Sequence, residues 1–181
     1  MRLHGTNNLL LRDFVMTDLI AYQQLRLDKK FARFYCDDVV SKIQSEKLLN
    51  RFIAQANAQP RVSYQFAIEH GAALVGSVGL RRVDSGCYSF GIELGREAQW
   101  KGIAFNAASM MMDFAFNKLG AQVVFAQTFE RNVAAIKLGQ RLNMQTVWQS
   151  DQTTEVKGIT SRIALLRINQ NQWKQHLATN N

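Results

Sequence analysis

The sequence predicts a single-domain α/β fold: a mixed, mostly antiparallel central sheet flanked by helices. Three observations predict it. Apolar spacing along the chain switches between the helical period of about 3.6 and the strand period of 2. Residues 63–94 hold three strand-like runs joined by short Gly-bearing turns, which reads as an antiparallel meander. Residues 88–119 then form a strand–loop–helix unit at the centre of the chain.

Each element has its own signal. Leu9-Leu10-Leu11 with Phe14 reads as a first strand and its exit. Thr17-Asp18 offers an N-cap to a helix with Leu19, Ile20, Tyr22, Leu25 and Leu27 at helical spacing. Ser41 with Gln44 makes a capping-box pattern ahead of Ile43, Leu48, Leu49, Phe52 and Ile53, and Pro60 follows that helix. Strands are predicted over 63–69, 73–83 and 88–94, separated by the turns His70-Gly71 and Asp84-Ser85-Gly86. The loop Gly95–Gly102 leads to a long helix, Ile103–Leu119, closed by Gly120 as a C′ residue. Val123–Thr128 is a strand, and Asn132 opens a shorter helix through Ile136 and Leu138 to Leu142. Gln145–Gln149 and Ile159–Ile168 are late strands. The Gln/Asn-rich tail from about residue 170 to 181 is expected to fray. The order is β-α-α-β-β-β-α-β-α-β-β, one domain over residues 1–181.

Composition narrows the classes. A chain of 181 residues suits one domain. Its 47% hydrophobic and 20% charged content argues against disorder. No apolar run approaches the ~18 residues of a membrane span, so no membrane partner is expected. The N-terminal stretch lacks the apolar core and small-residue site of a signal peptide. Cys36 and Cys87 are isolated, and His4, His70 and His176 are scattered, so no metal site is readable. These points make the cytoplasm the expected compartment. With 22 Lys+Arg against 14 Asp+Glu, the net charge is +8. Such a surplus suits nucleic acid, an anionic membrane or a phosphorylated cofactor, or simply solubility.

The segment Gln99-Trp100-Lys101-Gly102-Ile103-Ala104 separates these options. It follows a strand and opens a helix. The first N–H groups of a helix have no internal acceptor, and the macrodipole makes that end electropositive. Gly102 lets the backbone approach an anion without a Cβ in the way. This arrangement suits a pyrophosphate, with the Lys101 charge nearby. A P-loop is excluded because GxxxxGK(S/T) is absent, and a dinucleotide fold because GxGxxG is absent. A ligand-free strand-to-helix turn remains the plain alternative on this hexapeptide alone.

The ordered set is more specific. Gly91-Ile92-Glu93-Leu94, then Gln99–Ala104, a long helix, a strand, and Asn132-Val133-Ala134-Ala135 at a helix start resemble the acetyl-CoA-dependent GNAT N-acetyltransferases. The likeness runs from Leu9 to Trp173, is most specific over Phe90 to Met144, and in the run from Gly91 to Ala104 is similar to the branch containing ribosomal-protein N-terminal acetyltransferases. It implies a GNAT-like fold in which the strands 88–94 and 123–128 are parallel and splay apart. It implies that acetyl-CoA is the cosubstrate and that no metal is needed. Backbone amides across Trp100, Lys101, Gly102, Ile103, Ala104 and Phe105, introduced by Gln99, would hold the pyrophosphate. Edge groups of Ile92 and Leu94 would pair with the pantetheine amides as an added strand, and Asn132 would bond the arm from the far side.

The same resemblance frames the chemistry. The Leu94 N–H is the candidate oxyanion donor. Glu93 is the candidate base, directly or through a water. Its plain alternative is a solvated strand carboxylate. The family often places a Tyr seven residues after the Asn, or a Ser three after it, as general acid. Here these positions are Gly139 and Ala135. A thiol of pKa about 8.5 can leave without an acid; Tyr88, Cys87 or water are the other candidates. Arg26, Arg33, Tyr35 and Asp37 fall where the branch often builds its acceptor wall, and Glu155, ahead of the turn Lys157-Gly158, could recognise an acceptor ammonium. The plain alternative for each is a solvated surface residue, and for Phe31, Phe34 and Tyr35, which could line the pocket, it is the core. Trp100 and Met110–Met112 read first as core.

The expected function is transfer of an acetyl group to a primary amine, with a protein N-terminal amine as one candidate. The alternative is an acetyl-CoA-binding module with little or no turnover. Nucleic acid is an unlikely partner, since no arginine-rich run or known module is present. Monomer and homodimer both remain open.

Overall fold

The computed structural model describes residues 1–28, 35–99 and 101–180, with the backbone alone at Asn180. Phe31, Arg33, Phe34 and Trp100 lie outside the described residues. The strands are β1 (Arg2–His4), β2 (Leu9–Asp13), β3 (Ser63–His70), β4 (Ala73–Asp84), β5 (Cys87–Leu94), β6 (Val123–Phe129), β7 (Gln145–Gln149), β8 (Thr154–Val156), β9 (Ile159–Ser161) and β10 (Ile163–Asn169). The helices are α1 (Leu19–Leu27), α2 (Lys42–Ala56), α3 (Ile103–Asp113), α4 (Val133–Arg141) and α5 (Gln170–Asn180).

Eight strands form one sheet in the order β1-β2-β3-β4-β5-β6-β10-β7. The expected meander β3-β4-β5 is antiparallel throughout. Among the described residues, the one parallel contact is β5 with β6. It lasts three residues, Cys87↔Val123, Tyr88↔Val124 and Ser89↔Phe125. Beyond Ser89, β5 stays paired with β4 as far as Gly76↔Leu94. Beyond Phe125, β6 stays paired with β10 as far as Ile163↔Phe129. Each strand keeps its outer partner and leaves the other, so the sheet opens between them.

Helices cover both faces of the sheet. Phe66 and Ile68 of β3 join Val78, Ala107, Met111 and Phe114 in the larger core. Ala67, between them, points to the other face, where Phe14, Tyr22 and Leu49 pack. Consecutive buried residues thus replace the simple alternation read from the sequence, because both faces are covered.

Several local expectations change. The helix predicted over 103–119 is α-helical only to Asp113; Phe114–Lys118 is a wider π turn, with the Leu119 N–H donating to Phe114 O at 3.1 Å. The α1 stripe is rotated from the expected one. Ile20 is exposed, while Tyr22 and Arg26, four residues apart, are the buried pair. Asp18 does not cap α1 with its side chain. It accepts from Arg12 at 2.8 and 2.9 Å and from the Val15 N–H. Ser41 does cap α2, accepting from the Gln44 N–H at 3.3 Å, but Ile43 faces solvent.

The late strand read as 159–168 is two strands. It breaks at Arg162, and β9 pairs with β8 as a separate hairpin. β1 was not anticipated. The tail after Asn169 is helical over Gln170–Asn180, forming α5, anchored by Trp173, which is 1% exposed and stacks on Phe116. The Trp173 indole N–H donates to Asp113 at 2.8 Å. One aromatic anchor outweighs the poor helical composition around it. No helix among the described residues is long and apolar enough to cross a membrane.

Candidate functional site

The opening between β5 and β6 leads into a cleft of about 440 Å³. Its walls are Phe90–Glu93 of β5, Ala126–Thr128 of β6, and Asn132, Ala135, Leu138 and Gly139 from the start and inner face of α4. Tyr22 and Arg26 of α1, Leu48, Arg51 and Phe52 of α2, and Tyr35 and Val39 close its other end.

The orientation of β5 follows from its ladder. The Gly95 N–H donates to Val75 O of β4 at 2.8 Å. Backbone groups alternate sides along an antiparallel strand, so those of Ile92 and Leu94 face the opening. The Leu94 carbonyl accepts the Gln99 side-chain amide at 3.3 Å, which ties the loop to the strand end.

The loop ends at Gly102, in the left-handed region at φ +76°, as the N-cap of α3. A Cβ placed there would meet nothing within 4 Å. The first internal bond of α3 runs from the Asn106 N–H to Gly102 O at 3.0 Å. The amides of Ile103, Ala104 and Phe105 therefore lack an acceptor within the helix. Lys101 is exposed beside them. An open, glycine-shaped, electropositive helix start fits a diphosphate. Farther along, the Phe105 ring carries the Arg141 guanidinium at 4.3 Å.

Across the opening, Asn132 caps α4, its Oδ1 accepting the Ala135 N–H at 3.4 Å while its Nδ2 donates to Thr128 Oγ1 at 3.2 Å. Gly139 is buried where α4 meets β10; a Cβ there would lie 2.8 Å from Leu166 Cδ2. Close approach of helix to strand accounts for glycine at this point. With Ala135 beside it, this stretch of wall carries no hydroxyl. Cys87 and Tyr88, considered as other acids, lie at the paired end of the strands, away from the cleft lining.

Glu93 is the polar centre of the opposite end. Arg26, 2% exposed, approaches both carboxylate oxygens at 3.3 Å. The Tyr35 hydroxyl donates to Oε1 at 3.0 Å and Ser77 Oγ to Oε2 at 3.2 Å. Gln65 in turn donates to Ser77 at 3.2 Å. A polar chain thus crosses three adjacent strands, β3, β4 and β5. Burial, then the Glu93 charge, pushes the Tyr35 phenol far above the ordinary range, so it stays a donor. Tyr22 is pushed up for the same two reasons. Arg26 is held further by Tyr22 at 3.3 Å and by donating to Val39 O at 2.8 Å.

Of the predicted acceptor wall, Arg26 and Tyr35 meet at Glu93. Asp37 instead pairs with Lys157 at 2.6 Å, linking the β8–β9 hairpin to the turn before α2. Glu155 lies on exposed β8, outside the cleft lining. Met111 and Met112 are core. Ser77, Gln65 and Arg51 were not legible as site residues. Each lies on a different element, and no local pattern joins them to Glu93.

A model of the acetyltransferase (GNAT) domain matches residues 8–145. The spermidine N-acetyltransferase from Vibrio cholerae, solved with CoA and spermine, has a TM-score of 0.78 at 19% identity over 92% of this chain and 98% of its own. RimJ from Mycobacterium smegmatis, solved with CoA-disulfide, gives 0.80 at 17% over 99% and 92%. A ribosomal-protein alanine acetyltransferase from Vibrio fischeri gives 0.79 at 14% over 96% and 98%. At such identities the superpositions speak for the fold. Membership rests on the domain match across most of the chain: this protein belongs to the GNAT family of acetyltransferases, and is an acyltransferase.

Proposed function

We propose that the protein transfers the acetyl group of acetyl-CoA to a primary amine, with a protein N-terminal amine as the favoured class. The observation that carries this reading is the single cleft joining the β5–β6 opening, Asn132 and Glu93. Lys101 and the amides of Gly102, Ile103, Ala104 and Phe105, with Trp100 and Gln99 in the preceding loop, hold the diphosphate. Ile92 and Leu94 offer backbone groups to the pantetheine amides, and Asn132 bonds the arm from the α4 side.

Acetyl-CoA supplies the thioester carbonyl and a thiol leaving group. The Leu94 N–H, facing the opening, donates to the oxygen on which charge develops. The amine nitrogen bonds to the carbonyl carbon as the C–S bond breaks. Glu93 receives the amine proton through water. Its Arg26, Tyr35 and Ser77 contacts hold the carboxylate in place at the cleft wall. With Ala135 and Gly139 on the leaving-group side, the sulfur departs as thiolate and is protonated by solvent.

Those two residues also favour a second reading, an acetyl-CoA binder with little turnover. Thiol release from acetyl-CoA, screened over small amines and N-terminal peptides, separates the two. Acceptor-dependent release supports transfer; calorimetric CoA binding without release from any acceptor supports the binder.

A further inference from the structure

The charged side chains lining the cleft, among the described residues, are Arg26, Arg51 and Glu93. Arg26 and Glu93 neutralise each other at 3.3 Å. Tyr35 and Ser77 also donate to that carboxylate. Arg51 is exposed on α2 and enters no ion pair among the described residues. It lines the same wall as Tyr22 and Phe52, whose rings are 6.1 Å apart. Asp37, on the turn that also carries the cleft residue Val39, is already paired with Lys157. Asp38, next to Val39, is exposed and enters no ion pair among the described residues, but it does not line the cleft; within the lining, Arg51 is the cation without an ionic partner among the described residues. A polyamine would bring a second ammonium up against Arg51.

We propose, resting on the acetyl-transfer reading above, that the acceptor is a primary amine with a carboxylate close to it, namely a peptide N-terminus followed by Asp or Glu, and that Arg51 receives that carboxylate. Guanidinium suits this task because its planar fork matches a carboxylate. The proposal makes Arg51 a specificity residue.

The test measures thiol release at saturating acetyl-CoA with four acceptors: a peptide with Asp in second place, the same peptide with Asn there, free aspartate, and spermidine. The Asp peptide is expected to exceed both the Asn peptide and spermidine by about threefold in kcat/KM, the scale of one solvent-facing charge pair. R51E should reverse the order of the two peptides. Raising salt should shrink the Asp peptide's advantage, an arm that needs no variant. Spermidine as the best acceptor, equal rates for the two peptides, or an R51E protein with an unchanged ratio would overturn the proposal. Free aspartate outrunning the peptides would overturn the peptide as the source of the carboxylate. Absence of release from every acceptor, with CoA still bound by calorimetry, would overturn acetyl transfer itself and this inference with it.

Discussion

Gly102 and Glu93 carry the two ends of the site. At φ +76° and with open space outside it, Gly102 shapes the start of α3 toward an anion. A side-chain-bearing residue in that conformation costs about 1–2 kcal/mol, and a carboxylate there would also repel a diphosphate. Gly102→Asp should therefore weaken CoA binding by about tenfold or more, with Gly102→Ala in between. Calorimetric titration with CoA reads both; an unchanged affinity would move the diphosphate elsewhere. Glu93→Gln keeps the shape and removes the charge that faces Arg26. Its kcat should fall by about 10²-fold, with a smaller change in the acetyl-CoA KM. An unaffected rate would leave Glu93 a purely structural partner of Arg26.

At the scale of elements, the opening exists because β5 and β6 are more firmly held by their outer neighbours than by each other. β6 pairs with β10 over seven residues and with β5 over three. α5 secures the edge of this arrangement, since it follows β10 directly and sets Trp173 against Phe116 and Asp113. Removing that indole should cost about 3–5 kcal/mol, lowering Tm by roughly 10 °C in a chain of this size. Thermal unfolding of Trp173→Ala checks this; a Tm within about 2 °C of the parent would mean that α5 is an appendage.

For the whole molecule, the question is what joins the helical layer of α1 and α2 to the sheet. Arg12 of β2 is one such joint: it bonds Asp18 ahead of α1 and Glu69 of β3, the latter at 2.6 Å. These partners hold its guanidinium firmly in the charged form. Arg12→Met would leave two partly buried carboxylates without their cation. A fully buried pair would cost more, but at this exposure the loss should be about 2 kcal/mol. Urea unfolding should show a lower midpoint at an unchanged slope. The same layer carries Arg26, so the variant should also reduce turnover by loosening Glu93.

The sequence by itself determined the α/β class, the β3-β4-β5 meander, the helix starts at Ser41, Gly102 and Asn132, and the likeness to the acetyltransferase family. All of these rest on local signals: period, caps, turns and a short ordered motif. Tertiary structure decided the rest. A helical stripe does not tell which face is inward when a buried Arg26 finds Glu93 sixty-seven residues away. The polar tail carries no sign of helix beyond Trp173, whose partners lie on α3 and in the turn after it. The Gln65–Ser77–Glu93 chain and the Arg51 wall arise where separate strands and helices meet, and contacts of that kind have no period for a sequence to display.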